Sequence, residues 1–122
     1  MAHILVIDDD ASLRDVVTQM LEKDNHYVEG AANGEDGLRM FRDNQPDIVI
    51  TDIIMPGAEG LEVITKMIKQ VEDLPIVAMS GGGRHSSYTD NLKIAKALGA
   101  RAVLPKPFTR TELFEAITTA MG

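Results

Sequence analysis

The chain has 122 residues, a formal net charge of −7, and 44% hydrophobic and 25% charged residues. This composition is typical of one globular domain, here 1–122, and acidity without a basic stripe argues against direct binding to nucleic acid. The sequence contains no cysteine, which excludes disulfides, thiolate catalysis and cysteine-based zinc sites. It shows no signal peptide and no apolar run near the ~20 residues that span a bilayer, so we expect a cytoplasmic protein without a membrane partner.

Five short apolar runs predict five β-strands. They cover residues 4–7, 27–31, 47–51, 75–79 and 102–105. A segment with helical periodicity follows each run, so strand and helix alternate five times with short connections. This alternation predicts an α/β fold in which helices cover both faces of a mostly parallel sheet.

Apolar residues spaced three and four apart mark the core-facing side of five predicted helices. They are Leu13, Val16, Val17, Met20 and Leu21 in the first; Leu38 and Phe41 in the second; Leu61, Ile64, Met67, Ile68 and Val71 in the third; Leu92, Ala95 and Leu98 in the fourth; and Leu113, Ile117 and Met121 in the fifth. Ser12 is the expected N-cap of the first helix, and Asn33 marks the start of the second. Gly99 suits the end of the fourth, and Thr109 with Glu112 has the spacing of a capping box for the fifth.

Four of the predicted strands run directly into polar residues whose chemistry is complementary. These residues are Asp8, Asp9, Asp52, Ser80 and Lys106. In parallel α/β sheets, ligands bind beyond the carboxyl ends of the strands, so all five side chains fall at one predicted place. Three carboxylates, a hydroxyl and an ammonium are suited to holding a divalent cation and a phosphoryl group.

The residue types at this place indicate a role for each group. The carboxylates of Asp8, Asp9 and Asp52 would repel one another unless a hard cation neutralised them, and oxygen ligands without histidine or cysteine favour Mg²⁺. Asp52 is the candidate nucleophile, because a carboxylate can attack a phosphoryl donor to give an aspartyl phosphate. Ser80 could donate to a phosphoryl oxygen, and Lys106 could neutralise its charge.

Each of these residues also has a structural interpretation. Asp8 and Asp9 precede a helix whose N-terminus favours negative charge, Ser80 precedes glycines that suit a turn, and most lysines are solvated surface groups. The three histidines form no ligand cluster by spacing, and we interpret them as structural or exposed: His3, His26 and His85.

The motifs around these residues resemble those of a known family. They are Asp8-Asp9 after the first strand, Asp52 before Met55-Pro56 with Gly60 following, Ser80 after the fourth strand, and Lys106-Pro107-Phe108. In this order and at this spacing, the chain is similar over essentially all 122 residues to the receiver domain of bacterial response regulators. The resemblance implies a flavodoxin-like (βα)5 fold with strand order 2-1-3-4-5, an order known from flavodoxin and chemotaxis receivers.

The resemblance also implies roles in a phosphorylation-dependent signalling switch. Asp52 would accept a phosphoryl group from a sensor histidine kinase or a histidine phosphotransfer protein. The implied Mg²⁺ ligands are Asp8 acting largely through water, Asp9 directly, Asp52, and the backbone carbonyl of Ile54. The implied phosphate-binding groups are Ser80, Gly81 and Lys106, with a cis peptide at Lys106-Pro107.

The resemblance further implies that the chain is not an enzyme acting on external substrates. It would catalyse only its own phosphoryl transfer and autodephosphorylation. The chain stops where the fifth helix ends, so we expect no output domain and signalling through an unknown downstream protein partner. A receiver cut from a longer protein would look the same.

Two features depart from the pattern of receivers. In receivers, an aromatic residue usually stands three positions before the lysine and moves together with the hydroxyl residue. Here Val103 occupies that position. Ser80 and Val103 would therefore form a switch that acts by a smaller packing change. The stretch from Ser80 to Lys106 is also several residues longer than usual, with the excess in 81–87. That excess is either a surface insertion or a partner site that becomes ordered on phosphorylation.

Two other functions fit the composition less well. A Mg²⁺-dependent hydrolase with an aspartyl-phosphate intermediate commonly carries a second aspartate two residues after the nucleophile, where this chain has Ile54. A flavin-binding electron carrier of similar fold needs a phosphate loop after the first strand and aromatic residues beside the flavin. The sequence provides neither, and absorbance of the purified protein would detect a flavin.

Ile54 stands two residues after Asp52, and we expect its apolar side chain to lie near a phosphoryl group on Asp52 and to hinder the approach of water. We expect Ile54→Asn to speed hydrolysis of the aspartyl phosphate several-fold, because an amide can hydrogen-bond a water molecule there. Decay of the phosphorylated protein, followed by intact mass after removal of the donor, measures the rate. Ile54→Leu keeps the side chain apolar and serves as the control. Unchanged or slower decay in Ile54→Asn would contradict this expectation.

Overall fold

The computed structural model describes residues 1–53, 60–81 and 93–122. Within these ranges it contains one sheet of five strands. They are β1 (His3–Ile7), β2 (Tyr27–Ala31), β3 (Ile48–Asp52), β4 (Ile76–Ser80) and β5 (Ala102–Pro105). Their order is β2-β1-β3-β4-β5, and every neighbouring pair is parallel. The predicted strand order is confirmed, and each strand end lies within one residue of its predicted position.

Helices cover both faces of this sheet, as predicted. They are α1 (Ala11–Lys23), α2 (Gly34–Asp43), α3 (Gly60–Gln70), α4 (helical over 93–98) and α5 (Arg110–Met121). Neighbouring strand residues point to opposite faces. Leu5 of β1 therefore packs in the core shared with α2, α3 and α4, whereas Ile4 packs in the core shared with α1 and α5.

The central strands read as continuous apolar runs because both of their faces are covered. Every residue of β3 and β4 is buried, and so is β1 after its first residue. In β5, which lies at the edge of the sheet, Pro105 is exposed and pairs in register with Ser80. An edge strand tolerates the missing N–H of proline, so this residue does not interrupt the sheet.

The N-cap predicted for the first helix was wrong by two residues. Asp10 caps α1, and its carboxylate accepts hydrogen bonds from the backbone N–H groups of Ser12 and Leu13 at 3.0 and 3.2 Å. Both residue types are good caps. The chain turns immediately after Asp9, so Asp10 reaches the first free N–H groups and Ser12 already lies inside the helix.

The other predicted helix ends are confirmed. Asn33 caps α2 by accepting from the N–H of Asp36, and Gly99 follows α4 with a φ of 125°, a conformation that favours glycine. Thr109 and Glu112 form both hydrogen bonds of the capping box at the start of α5.

Three apolar side chains predicted to face the core are instead exposed. They are Val16, Leu98 and Met121, at 46%, 39% and 46% of their full accessibility. The same helices contribute other residues to the core, such as Val17 in α1 and Ala120 in α5. Helical spacing alone predicted a buried face on each helix that is wider than the face that is in fact buried. Leu92, predicted for the fourth helix, lies outside the described residues.

Gly60 allows α3 to begin directly against the backbone that carries Asp52. A Cβ at position 60 would overlap the carbonyl oxygen of Asp52 and the Cα of Ile53, and would lie 2.7 Å from the Ile53 carbonyl carbon. These are backbone atoms that cannot rotate away. The side chain of residue 60 therefore limits how closely α3 can approach the end of β3.

We expect Gly60→Ala to lower the free energy of unfolding by about 1–3 kcal/mol, the usual cost of overpacking a rigid contact. Urea unfolding in metal-free buffer measures the change. Glu62→Ala is the control, because Glu62 is exposed in the same helix and pairs only with solvent-exposed Lys66 at 3.2 Å among the described residues. That substitution should change stability by less than about 1 kcal/mol. Equal effects of the two substitutions would show that the close approach has no energetic importance.

Candidate functional site

The carboxyl ends of β1, β3, β4 and β5 bring the predicted site residues together. Asp8 directly follows β1, Asp52 and Ser80 end β3 and β4, and Lys106 directly follows β5. The strands are adjacent and in parallel register. Side chains that are up to 98 positions apart in sequence therefore make direct contact.

The Lys106 ammonium lies between two buried carboxylates. Its Nζ donates to Asp8 Oδ2 at 2.8 Å and to Asp52 Oδ2 at 3.0 Å. Asp8 and Asp52 are buried, and the Lys106 side chain is 18% exposed. Burial acts to lower the pKa of Lys106, but the hydrogen bonds and charges of the two carboxylates outweigh it, so this pKa lies above its usual value. The lysine is therefore charged at neutral pH.

Three carboxylates are positioned so that one cation could contact them all. Asp8, Asp9 and Asp52 each offer an oxygen, and these oxygens lie within 4.8 Å of one another. Asp9 is exposed, whereas the other two are buried. Mg²⁺ binds oxygen ligands and usually keeps several waters, and a set with one solvent-facing member leaves room for them. The residues thus fit Mg²⁺; Ile54, whose carbonyl was the fourth predicted ligand, lies outside the described residues.

The two oxygens of the Asp8 carboxylate have different partners. Oδ2 accepts from Lys106, while Oδ1 accepts from the backbone N–H of Asp10 at 2.9 Å. The buried carboxylate is thus held on both sides. Both of its oxygens are therefore engaged by donors from the protein.

The Ser80 hydroxyl provides an independent indication of a ligand. Its oxygen is buried and has no hydrogen-bond partner among the residues that the structure describes. A buried polar atom without a partner costs about 1–3 kcal/mol, and such atoms in native proteins call for an explanation. A phosphoryl oxygen bound at the end of β4 would supply the missing partner.

Gly81 and the backbone of Lys106 complete the side of the site near β4 and β5. Gly81 lies beside the lysine stem, since a Cβ there would be 3.9 Å from Lys106 Cδ. The Lys106 N–H donates to the Ser80 carbonyl at 2.8 Å. The peptide bond between Lys106 and Pro107 is cis, as the resemblance implied.

Val103 lies away from these polar groups. It pairs in register with Ala78, two residues before Ser80, and its half-buried side chain packs on the core shared with α2, α3 and α4. The structure therefore places the two residues of the predicted switch, Ser80 and Val103, on neighbouring strands but two residues apart in register.

Two hydrogen bonds to backbone carbonyls of the site were not predicted. Thr51 Oγ1 donates to the Asp52 carbonyl at 3.0 Å, and Arg14 Nη1 donates to the Asp8 carbonyl at 2.7 Å. A hydrogen bond from a side chain to a backbone carbonyl does not depend on the type of the accepting residue. The sequence therefore contained no specific signal for either bond.

The described histidines lie at the amino ends of strands, away from the site: His3 is the first residue of β1, and His26 directly precedes β2. His3 Nε2 is 2.6 Å from Glu29 Oε1, and the His3 ring lies against Tyr27. His26 Nδ1 accepts from the backbone N–H of Ala2. Their interpretation as structural residues is confirmed. His85 lies outside the described residues, as does all of the 81–87 excess except Gly81.

Comparison with known proteins gives consistent results for sequence and structure. A sequence model described as the response regulator receiver domain matches residues 4–118. The chain is 38% identical over 121 residues to the DNA-binding transcriptional regulator NtrC of Azospirillum brasilense, covering 99% of this chain and 24% of NtrC. It is 34% identical over 124 positions to protein PilH of Pseudomonas aeruginosa, covering 100% of this chain and 99% of PilH. The chain therefore spans about a quarter of one relative and nearly all of the other.

Solved structures agree with these relatives. The crystal structure of a response regulator receiver domain protein from Clostridium thermocellum matches with a TM-score of 0.89 and 33% sequence identity. The match covers 99% of this chain and 94% of that chain. Among the described residues, no helix is both long enough and apolar enough to cross a membrane.

We expect Lys106→Met to lower the free energy of unfolding in metal-free buffer at pH 7 by about 3 kcal/mol, because it removes the ammonium that donates to both buried carboxylates. Mg²⁺ should restore part of this loss. Urea unfolding with EDTA or with Mg²⁺ measures both effects. In the control, Lys66→Met removes an exposed pair with Glu62 and should cost less than about 1 kcal/mol with no response to Mg²⁺. A stability of Lys106→Met equal to that of the unmodified chain would contradict this account.

Proposed function

The chain belongs to the response regulator receiver domain family, and from this premise we propose that it is a phosphorylation-dependent signalling switch whose acceptor is Asp52. The observation that carries the assignment is the arrangement at one end of the sheet. The Asp52 carboxylate lies in hydrogen-bonding distance of Lys106 and close to two further carboxylates. The neighbouring strand ends in Ser80, whose buried hydroxyl has no hydrogen-bond partner within 1–53, 60–81 and 93–122.

In the proposed reaction, an Asp52 carboxylate oxygen attacks the phosphorus of the donor. An O–P bond forms on Asp52, and the bond from phosphorus to the donor breaks, with the bonding electrons leaving on the donor. The proposed donor is the phosphohistidine of a sensor histidine kinase or of a histidine phosphotransfer protein. Reactions of this type depend mainly on alignment and on neutralising the charge of the transferred group.

The acidic side of the site is suited to a metal ion. Receiver domains typically bind Mg²⁺ in an acidic pocket, and we assign the ligands here to Asp8, Asp9, Asp52 and the Ile54 carbonyl. When bound, the ion would supply positive charge that offsets both the carboxylates and the phosphoryl oxygens. The exposure of Asp9 supports its direct contact with the ion, and the twice-bonded carboxylate of Asp8 supports contact through water.

The other side of the site would bind the phosphoryl group itself. Ser80 Oγ would donate its proton to one phosphoryl oxygen, and Lys106 Nζ would exchange its bond with Asp52 for a bond with another. The backbone N–H of Gly81, beside the lysine stem, would be a third donor. Each of these donors would form a hydrogen bond with a negatively charged phosphoryl oxygen, and hydrogen bonds to charged groups are stronger than those between neutral groups.

The readout would start from the same two strands. A shift of Ser80 toward the phosphoryl group and of Lys106 away from Asp52 would move the ends of β4 and β5. Val103 packs from β5 against the core of α2, α3 and α4. We propose that this side chain transmits the movement to the surface around α4, β5 and α5 by repacking.

The proposed partners are proteins. A histidine kinase or phosphotransfer protein would act as donor, and an unidentified protein would receive the signal. The net charge of −7 argues against direct nucleic-acid binding by this domain. A cytoplasmic location stays a prediction from the sequence.

Incubation with acetyl phosphate and Mg²⁺, followed by intact mass, tests the assignment. We expect one phosphoryl addition in the unmodified chain, loss of the addition in Asp52→Asn, and loss on adding EDTA. Ser80→Ala should slow the addition without abolishing it. In the control, Asp10→Asn removes one nearby negative charge but keeps a good N-cap, and it should be phosphorylated normally.

The outcomes distinguish the acceptor from its neighbours. Full phosphorylation of Asp52→Asn, with the modification mapped to another carboxylate, would refute the assignment of Asp52. Loss of phosphorylation in both Asp52→Asn and Asp10→Asn would indicate a general effect of negative charge instead of a specific acceptor. Absence of any addition in the unmodified chain under Mg²⁺ would reject the switch itself.

A further inference from the structure

Arg14 links the first turn of α1 to the acidic side of the site. Its Nη1 donates to the carbonyl oxygen of Asp8 at 2.7 Å, across six positions in the sequence. The residue is half-buried, and a hydrogen bond from a charged donor is stronger than one between neutral groups. The guanidinium thus holds the backbone of Asp8 itself and leaves the carboxylate free for other partners.

The turn between β1 and α1 is fixed from several directions. On one side, the Asp8 N–H donates to the carbonyl of Ala31 in β2 at 3.0 Å. Within the turn, the Asp10 N–H donates to Asp8 Oδ1 at 2.9 Å, and the Arg14 N–H donates to the Asp10 carbonyl at 3.0 Å. The guanidinium of Arg14 closes this set of bonds by returning from the helix to Asp8. Asp9 lies between the two residues that are held.

Gly30 of β2 makes room for the arginine stem. A Cβ at position 30 would lie 3.1 Å from Arg14 Cδ, 3.3 Å from Cγ and 3.5 Å from Nε. The φ of Gly30 is not in the left-handed region, so the backbone there does not require glycine. Glycine inside a strand weakens it and often marks a close approach. The close approach here is that of Arg14.

We propose that Arg14 is a positioning residue for Mg²⁺ binding: it holds the β1–α1 turn so that Asp8 and Asp9 present their carboxylates together. This inference rests on the proposed function, which assigns those carboxylates to the metal. Partners that orient metal ligands typically contribute 10–100-fold to affinity. Arg14 bonds the backbone of Asp8 and not the carboxylate that would face the metal. We therefore expect its effect on Mg²⁺ affinity to be roughly tenfold, at the low end of that range.

Positioning and simple electrostatics predict opposite results for the loss of Arg14. A guanidinium near the site repels a divalent cation, so removal of its charge alone would tighten Mg²⁺ binding. Removal of the hydrogen bond to Asp8 would loosen the turn and weaken binding. The sign of the change in affinity therefore decides between the two effects.

The test is calorimetric titration of the unphosphorylated protein with Mg²⁺, with thermal unfolding in EDTA measured alongside. We expect Arg14→Met, which keeps an unbranched stem without a donor, to raise the Kd for Mg²⁺ roughly tenfold. Arg14→Lys retains a charged donor on a shorter stem and should recover part of the affinity. In the control, Arg39→Met makes the same change of charge at an exposed residue of α2 that pairs with Asp36, and its Kd should match that of the unmodified chain.

A second variant displaces the arginine without changing its chemistry. Gly30→Ala places a methyl group against the Arg14 stem and should raise the Kd in the same direction by a smaller factor. In an Arg14→Ala background, the same change at position 30 should have no further effect on the Kd. This pair remains informative if Arg14→Met does not fold.

Each outcome bears on a separate assignment. An unchanged or lower Kd in Arg14→Met, even with a lower melting temperature in EDTA, would overturn the positioning role while the proposed switch stands. A raised Kd together with normal phosphorylation of Asp52→Asn would support Arg14 and reject Asp52 as acceptor. An unmodified chain that binds no Mg²⁺ would overturn both proposals.

Discussion

The buried carboxylates of Asp8 and Asp52 require a positive charge, and this requirement shapes the whole site. Because β1 and β3 are neighbouring parallel strands, the topology of the sheet forces the two side chains together, where little solvent screens their repulsion. Lys106 supplies one positive charge from β5, at 2.8 and 3.0 Å. With Asp9 close by, three carboxylates meet the Lys106 ammonium, so the described groups in direct contact there carry more negative than positive charge. A divalent cation would offset this excess, and oxygens of Asp8, Asp9 and Asp52 already lie close enough together for one ion to contact all three.

The residues of the site were predictable because their positions follow from strand periodicity. Apolar runs of four or five residues defined the strands, and the polar residues at their ends fell at one edge once the strands were taken as parallel. The sequence carried no comparable signal for what holds those residues. Arg14 binds a backbone carbonyl, and every residue has one. The partners of Lys106 were also missed, since its charge suited a phosphoryl group equally well.

The errors in the helices have a common physical origin. Periodicity identifies which residues share a face, but the width of the buried stripe depends on how far the sheet extends beneath the helix. Val16 of α1 and Met121 of α5 fit the helical spacing of their predicted faces, yet both are 46% exposed. The cap of α1 was misplaced for a related reason. Asp10 and Ser12 are both good caps, and only the path of the turn after β1 decides which of them reaches the free N–H groups.

The two halves of the site differ in how completely their hydrogen bonds are satisfied. On the side of β1 and β2, Asp8 is held through its N–H, its carbonyl and both carboxylate oxygens. On the side of β4 and β5, the Ser80 hydroxyl lacks a partner among the described residues, and Lys106 is engaged with carboxylates that a metal ion would also bind. A phosphoryl group bound between these halves would gain most of its new hydrogen bonds from the second half, where the Ser80 hydroxyl and the Lys106 ammonium can both donate to it. Structural change should therefore begin at the ends of β4 and β5, while the bonded turn after β1 serves as the fixed reference against which they move.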